Sequence, residues 1–311
     1  MARKHWFWIV GGAAVLGLAL LAVVLRAGLD TRLGYYAPIF DSDGLKVLYI
    51  ERETTGFSWG LGYEFLSPPA HAWTLSDRFR LRRLDPATGR IESLREWPPS
   101  PLEGRWLRTY RGRLYTLPSV RLRHAENGAL EYAIRVSIPT RPRAEIYGVL
   151  ARWNNLTERL EDRPQWSSEH VPIGGYLEDA VAGEVELMAP PGPDYYPSAI
   201  LLVDHGTGEV RVLLAGDDHR ASYPDGVPRR WIEEHSHAAE VNRLREMRGT
   251  HGRLVDRFRR QGMREGEAEL ATGREMQRLG YYPKTPTLTA RLVAGGAHGG
   301  PVIEIPPGEM Q

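Results

Sequence analysis

The sequence predicts a mainly β fold, an antiparallel meander of propeller-like or sandwich form, with one N-terminal transmembrane helix and α-helices towards the C-terminus. Three observations predict it. Residues Trp6 to Leu25 form an uninterrupted uncharged run. From Tyr35 to about Gly216, short segments rich in Val, Ile, Leu, Tyr and Trp alternate with Gly, Pro, Asp and Asn, the pattern of strands joined by turns. After Pro228 the apolar residues recur every three or four positions, which is the helical period.

The first run holds 20 residues. At about 1.5 Å rise per residue it would reach about 30 Å, the thickness of a bilayer's hydrocarbon core. Trp6 and Trp8 stand at one end and Leu25 at the other, with Arg3, Lys4 and Arg26 flanking. Aromatic rings favour the headgroup level. The run is longer than a signal peptide's apolar region and leaves through Val24-Leu25-Arg26, without a small-residue cleavage site. The expectation is a signal-anchor in a cell (inner) membrane. Residues 1–5 would then be cytoplasmic, residues 6–25 would contact lipid, and the main domain would be periplasmic or otherwise extracytoplasmic.

The β-rich region is expected over residues 35–228. Leu45 to Glu51 reads as a strand entered through Asp43-Gly44. Phe79 to Leu84 and Ile91 to Trp97 flank Asp85-Pro86-Ala87-Thr88-Gly89; Arg113 to Arg123 and Leu130 to Ile138 flank Glu126-Asn127-Gly128. Ile146 to Trp153 ends at Asn154-Asn155, and Ala199 to Asp204 and Val210 to Ala215 flank Gly206-Thr207-Gly208. Gly and Asn supply the positive φ angles that tight hairpins need. Hairpins without a βαβ rhythm exclude a doubly wound α/β protein.

Pro38-Ile39-Phe40-Asp41-Ser42-Asp43-Gly44-Leu45-Lys46-Val47-Leu48-Tyr49 resembles the opening of WD40-like propeller repeats of the TolB type, which run Pro-x-aromatic-Ser-Pro-Asp-Gly into a hydrophobic strand. This chain lacks the proline between serine and aspartate. The turn Asp…Thr-Gly-x-(Ile/Val) also occurs twice, at Asp85 to Ile91 and Asp204 to Val210. The resemblance implies propeller blades.

The helical segment is expected over residues 229–280 and an extended tail over 281–311. Val241, Leu244, Met247, His251, Leu254 and Phe258 make one apolar stripe, with a bend or break expected at Gly249 and Gly252. A second helix should run from Glu265 to Leu279 and stop at Gly280.

The net charge of +1 supplies no global field for nucleic acid, so none is expected as a partner. With no cysteine, disulfides, thiolate metal sites and cysteine nucleophiles are excluded. No phosphate-binding loop, dinucleotide fingerprint or zinc spacing is present, and no cofactor is expected.

Gly56-Phe57-Ser58-Trp59-Gly60 matches the Gly-x-Ser-x-Gly nucleophile elbow, so Ser58 is a catalytic candidate. That chemistry needs a helix after the serine, and Leu61 to Pro69 has no helical period. Glu233, His237 and Glu240 would share one helical face, a candidate metal site, although a di-iron bundle needs further glutamates on facing helices. Tyr195-Tyr196-Pro197 and Tyr281-Tyr282-Pro283 echo Tyr35-Tyr36-Ala37-Pro38. Each reads as the start of an extended segment, since proline restricts the residue before it. The tyrosines Tyr195, Tyr196, Tyr281 and Tyr282 could also face a partner. The function expected is a membrane-tethered binding or assembly protein with a protein partner. The alternative is a membrane-bound hydrolase using Ser58, or a metal-dependent enzyme using the Glu233/His237/Glu240 face.

Overall fold

A computed structural model describes residues 29–58, 71–110, 113–114, 118–138, 145–154, 159–160, 165–168, 178–192, 196–281, 291–294 and 301–304, together with Val15 and Gly17. The chain divides into two compact units, Met1–His237 and Ala238–Gln311.

The first unit is built from three antiparallel sheets. The first contains β1 (Leu29–Phe40), β2 (Val47–Ser58), β3 (His71–Leu84), β4 (Ile91–Glu96), β5 (Arg105–Tyr110) and β6 (Arg113–Leu114). Its order is β1-β2-β3-β5-β6, with β4 also paired to β3. β5 pairs the first half of β3 and β4 the second half, while Trp97, Ser100 and Gly104 donate backbone hydrogen bonds to the β3 carbonyls between them. The second sheet is the meander β7 (Ser119–His124), β8 (Ala129–Ile138), β9 (Glu145–Asn154) and β10 (Arg159–Leu160); the third is β11 (Val181–Ala182), β12 (Val185–Met188), β13 (Ala199–Asp204) and β14 (Val210–Ala215). Among the described residues none of the three closes on itself.

Alternation along the strands places the first sheet between the other two. On β2, Leu48 and Ile50 join Tyr36, Ile39, Phe79 and Leu81 against Leu122, Tyr132, Ile134 and Val149 of the second sheet. Val47 and Tyr49 point the other way and join Tyr35 and Leu84 against Leu187 and Ile200 of the third. A strand with both faces covered must carry apolar residues at consecutive positions, and Val47-Leu48-Tyr49-Ile50 does.

The expected hairpins at Asp85 to Gly89, Asn127-Gly128 and Gly206 to Gly208 form where their turn residues stand. The strand expected over Arg113 to Arg123 instead divides between β6 of the first sheet and β7 of the second, and the connection after Asn154 lies outside the described residues. The two Asp…Thr-Gly turns share one hydrogen-bond pattern. The amide of Gly89 donates to Asp85 O at 2.8 Å, and that of Gly208 to Asp204 O at 2.7 Å. Each aspartate Oδ1 accepts backbone N–H groups two and three residues on. Gly89 (φ 71°) and Gly208 (φ 75°) supply the left-handed residue. Pro38 to Tyr49, which resembles a propeller repeat, forms the end of β1, a turn and the start of β2. Tyr35 and Tyr36 lie inside β1 rather than before a strand, and face its two opposite sides.

The first unit ends with two short helices, α1 (Asp217–Ser222) and α2 (Arg229–His235), and the first residue of α3 (His237–Arg260). In the second unit α3 continues through Gly249 and Gly252 without the expected break. Leu254 and Val255 are its buried residues. A turn through Gly262 (φ 88°) leads to α4 (Glu265–Arg278), which buries Ala268, Thr272 and Met276, one position per turn. Glu267 caps α4 by accepting the amide of Arg264 at 3.1 Å, and Gly280 (φ 83°) follows its end. The tail forms a hairpin of β15 (Arg291–Ala294) and β16 (Pro301–Glu304).

The fold-class expectation requires one correction. Among the described residues no helix is long and apolar enough to cross a membrane, so the transmembrane helix leaves the fold class, which is mainly antiparallel β with C-terminal helices. The described helix of sufficient length, α3, carries seven arginines, whose burial in hydrocarbon would be prohibitive. Trp6, Trp8 and Leu25, expected as anchor residues, lie outside the described residues.

Candidate functional site: a cavity where three sheets meet

β1 and β7 are edge strands of their sheets, and β12 is shielded from an edge only by the two-residue β11. Around the place where they converge lies a cavity of about 430 Å³. Pockets that hold small ligands span about 300–1,000 Å³. β1 contributes Tyr36, Ala37, Pro38 and Ile39; β7 contributes Val120, Arg121 and Leu122; β12 contributes Glu186, Leu187 and Met188. Ala180, Ala189 and Pro191 line it too, and Trp231 and His235 enter from α2.

A local irregularity shapes the β1 wall. The register shifts between Tyr36 and Ile39, and Ala37 takes φ 48°. Ala37 is the sole non-glycine residue at positive φ among the described residues. This bulge lets Tyr36 and Ile39, three apart, enter the same core although strand side chains otherwise alternate. Such a conformation costs on the order of 1 kcal/mol and persists where its surroundings impose it. Gly34, two residues earlier, is equally local in effect. A Cβ there would sit 2.7 Å from Cε2 of Tyr36, so the glycine admits the ring that lines the cavity.

Three lining residues carry polar chemistry. Glu186 is buried, and both carboxylate oxygens are engaged: Oε2 with Nε2 of His205 at 2.7 Å, Oε1 with the backbone N–H of His237 at 2.8 Å. The second contact places a carboxylate at the N-terminus of α3, where it complements the helix dipole. His235 stacks on Trp231, with centroids 4.3 Å apart and planes at 11°. Its Nδ1 lies 2.8 Å from the Trp231 carbonyl and donates to it, which makes Nε2 of the neutral ring the acceptor. Arg121 adds a guanidinium. The cavity is thus an apolar chamber with one cation, one ring nitrogen and a carboxylate committed to structure.

Behind Tyr36 the wall is stiffened by charge. Arg52 and Asp77 are both fully buried on the face towards the second sheet, with Nε to Oδ1 at 2.7 Å. Asp77 Oδ1 also accepts from the Thr54 hydroxyl at 2.9 Å. The guanidinium carbon lies 5.4 Å from the Phe79 ring and 5.6 Å from that of Tyr196. Burial works against the Arg52 charge, but attraction to Asp77, Tyr196 and Tyr36 and the hydrogen bond to Asp77 together outweigh it and hold its pKa above the ordinary value. Burial likewise pushes the Tyr36 hydroxyl well up, so it stays protonated.

The residues singled out from sequence are dispersed. Ser58 ends β2, paired with Ala72, and residues 59–70, which an elbow would need as turn and helix, lie outside the described residues. Glu233 belongs to α2 and pairs with Arg229 at 2.8 Å, whereas His237 opens α3. Ser236 between them is extended (ψ 155°), so Glu233 and His237 do not share one continuous helix. Glu240 on α3 pairs with Arg243 at 2.9 Å. Among the described residues no group of three or more His, Asp or Glu is placed to hold a metal ion. Tyr196 is buried in the core, and Tyr281 donates to Glu246 at 2.5 Å; Tyr195 and Tyr282 lie outside the described residues. Sequence reasoning missed Arg52, Asp77 and every cavity residue. One signal was present: Glu51-Arg52-Glu53 sets three charges in succession within a strand, so one of them must face inwards.

Comparison with protein-family models, with curated proteins and with solved structures finds no match to this chain.

Proposed function

We propose that this chain is a non-enzymatic binding or assembly module whose three-sheet unit receives an apolar group of a protein partner in the cavity between β1, β7 and β12. The observation that carries the reading is the cavity itself: about 430 Å³ of mostly apolar surface, with Arg121 and His235 among its lining residues. Buried apolar contact supplies affinity, and a guanidinium and a ring acceptor orient what enters. The Arg52–Asp77 pair behind Tyr36 and the bulge at Ala37 keep the wall in one shape before binding, which lowers the ordering cost. Three antiparallel sheets that contribute strands to a common cavity are compatible with a propeller-like arrangement, the architecture implied by the resemblance at residues 38–49.

The test uses the hydrophobic anion 1-anilinonaphthalene-8-sulfonate, whose shape and charge suit such a chamber. One saturable site is expected on the folded protein. Ala189→Trp, which fills the cavity from a half-buried position, should abolish it without lowering the unfolding temperature. Equal dye binding by wild type and Ala189→Trp would refute the site.

A further inference from the structure

The outer strand of a sheet presents unpaired N–H and C=O groups that can template another strand. Among the described residues β14, the outer strand of the third sheet, pairs with β13 alone. The other outer strands differ. β6, β10 and β11 are two residues long, β1 and β7 converge on the cavity, and on β4 the Glu92 carboxylate is held by Arg83 at 2.8 Å. At the start of β14, Glu209, Val210, Arg211 and Val212 are all exposed, and among the described residues no ion pair engages Glu209 or Arg211.

The register shows which backbone groups are free. The amide of Asp204 donates to Glu209 O at 2.9 Å, so Glu209 turns its backbone towards β13. Backbone direction alternates along an antiparallel strand, so Val210 and Val212 turn their N–H and C=O groups outwards. These two valines stand opposite Val203 and Leu201 and are 41% and 50% exposed. Beyond them the ladder slips between Ile200 and Leu201, which limits regular pairing to this stretch.

Charge selects the occupant. A strand that joins its own copy antiparallel does so about a two-fold axis, so the same residues meet from both sides. Outward groups must face outward groups, which leaves registers centred on Val210 or on Arg211. Centring on Arg211 sets two guanidinium groups directly opposite, and like charges so placed repel. Centring on Val210 sets Glu209 of each copy opposite Arg211 of the other, with Val210 against itself. We propose that β14 pairs with β14 of a second copy of this chain, antiparallel about Val210, so that the third sheet runs on across a dimer. Val212 then lies opposite Gly208 of the other copy, so a probe at 212 meets a second copy of the chain and no other partner.

Sedimentation velocity on the full-length chain in mild detergent tests the pairing. The expected result is a reversible dimer at about 100 μM that dissociates by about 1 μM, the weak range of a small interface. Val210→Pro removes the central outward N–H and leaves the β13 ladder intact, so it should abolish the dimer. Arg211→Glu should weaken it about tenfold by setting like charges opposite, and Glu209→Arg/Arg211→Glu should restore it. A monomer at every concentration would overturn the proposal and leave this edge to a different chain. A dimer indifferent to both Val210→Pro and Arg211→Glu would overturn it too, since the copies would then meet elsewhere. So would a double variant no stronger than Arg211→Glu alone.

Discussion

The two faces of the β2–β3 ladder use the same chemistry in opposite settings. On the face towards the second sheet, Arg52 and Asp77 pair with no exposure to solvent. On the other face, Arg80 bridges Glu51 at 3.0 Å and Glu53 at 2.7 Å, and Arg82 reaches Glu51 at 3.0 Å; Glu51 is nearly buried, but Arg80, Arg82 and Glu53 keep part of their surface in water. The residues interleave along the same two strands, so local sequence cannot account for the difference; the covering sheet does. A buried pair carries a desolvation cost of several kcal/mol and makes the loss of either partner severe. A solvated pair contributes little, because water already serves both charges. The buried pair stands behind Tyr36, which lines the cavity, and its value there is a fixed shape.

The largest expected effect follows from breaking that pair. Asp77→Ala should destabilise the fold by about 3–5 kcal/mol in urea unfolding, because it leaves the Arg52 charge buried without its carboxylate. The double variant Arg52→Met/Asp77→Leu should lose much less; equal losses would show that packing, not charge, is at stake. Gly34→Ala should cost about 1–3 kcal/mol, since its Cβ meets the Tyr36 ring at 2.7 Å, and should also weaken dye binding in the cavity. Across the sheet, Glu53→Gln should cost at most about 1 kcal/mol, an effect that fades in high salt. Equal costs for Glu53→Gln and Asp77→Ala would erase the contrast between the faces.

The smallest effect lies in the turns. The Asp85 carboxyl is held below its ordinary pKa by hydrogen bonds from Thr88 and from the backbone of Ala87, and Asp204 by those of Thr207 and Gly206. A folded pKa below the unfolded one means that the contribution is complete above the unfolded value of about 4 and is lost as pH falls through the folded value. Carboxyl-detected NMR should find both titrating below that value, and Asp85→Asn should flatten the acid limb of stability slightly.

Much of the fold is legible because hairpins are local. Asn127-Gly128 and the Asp…Thr-Gly turns state where β7 and β8, β3 and β4, and β13 and β14 reverse, and the three-to-four spacing marks α3 and α4. Gly249 and Gly252 misled because their helix-breaking tendency amounts to about 1 kcal/mol each, which the remainder of a 24-residue helix offsets. The cavity was not legible, because its lining runs from Tyr36 to His235 and depends on how sheets assemble. Motif spacing drew attention to Ser58 and to Glu233, His237 and Glu240, but these are a strand end and residues of two helices separated at Ser236. The Glu51-Arg52-Glu53 run says that a charge must face inwards, but that Arg52 is sealed from water follows from a second sheet that lies more than sixty residues further along the chain.

The central claim is that the junction of the three sheets holds a partner. Placing the photo-crosslinking residue p-benzoylphenylalanine at position 189, in cells that produce the chain, tests it most directly, with the same residue at exposed position 212 as the reference. One discrete cross-linked species at 189, absent at 212, is the predicted result. No adduct at 189, or the same pattern at both positions, would contradict it.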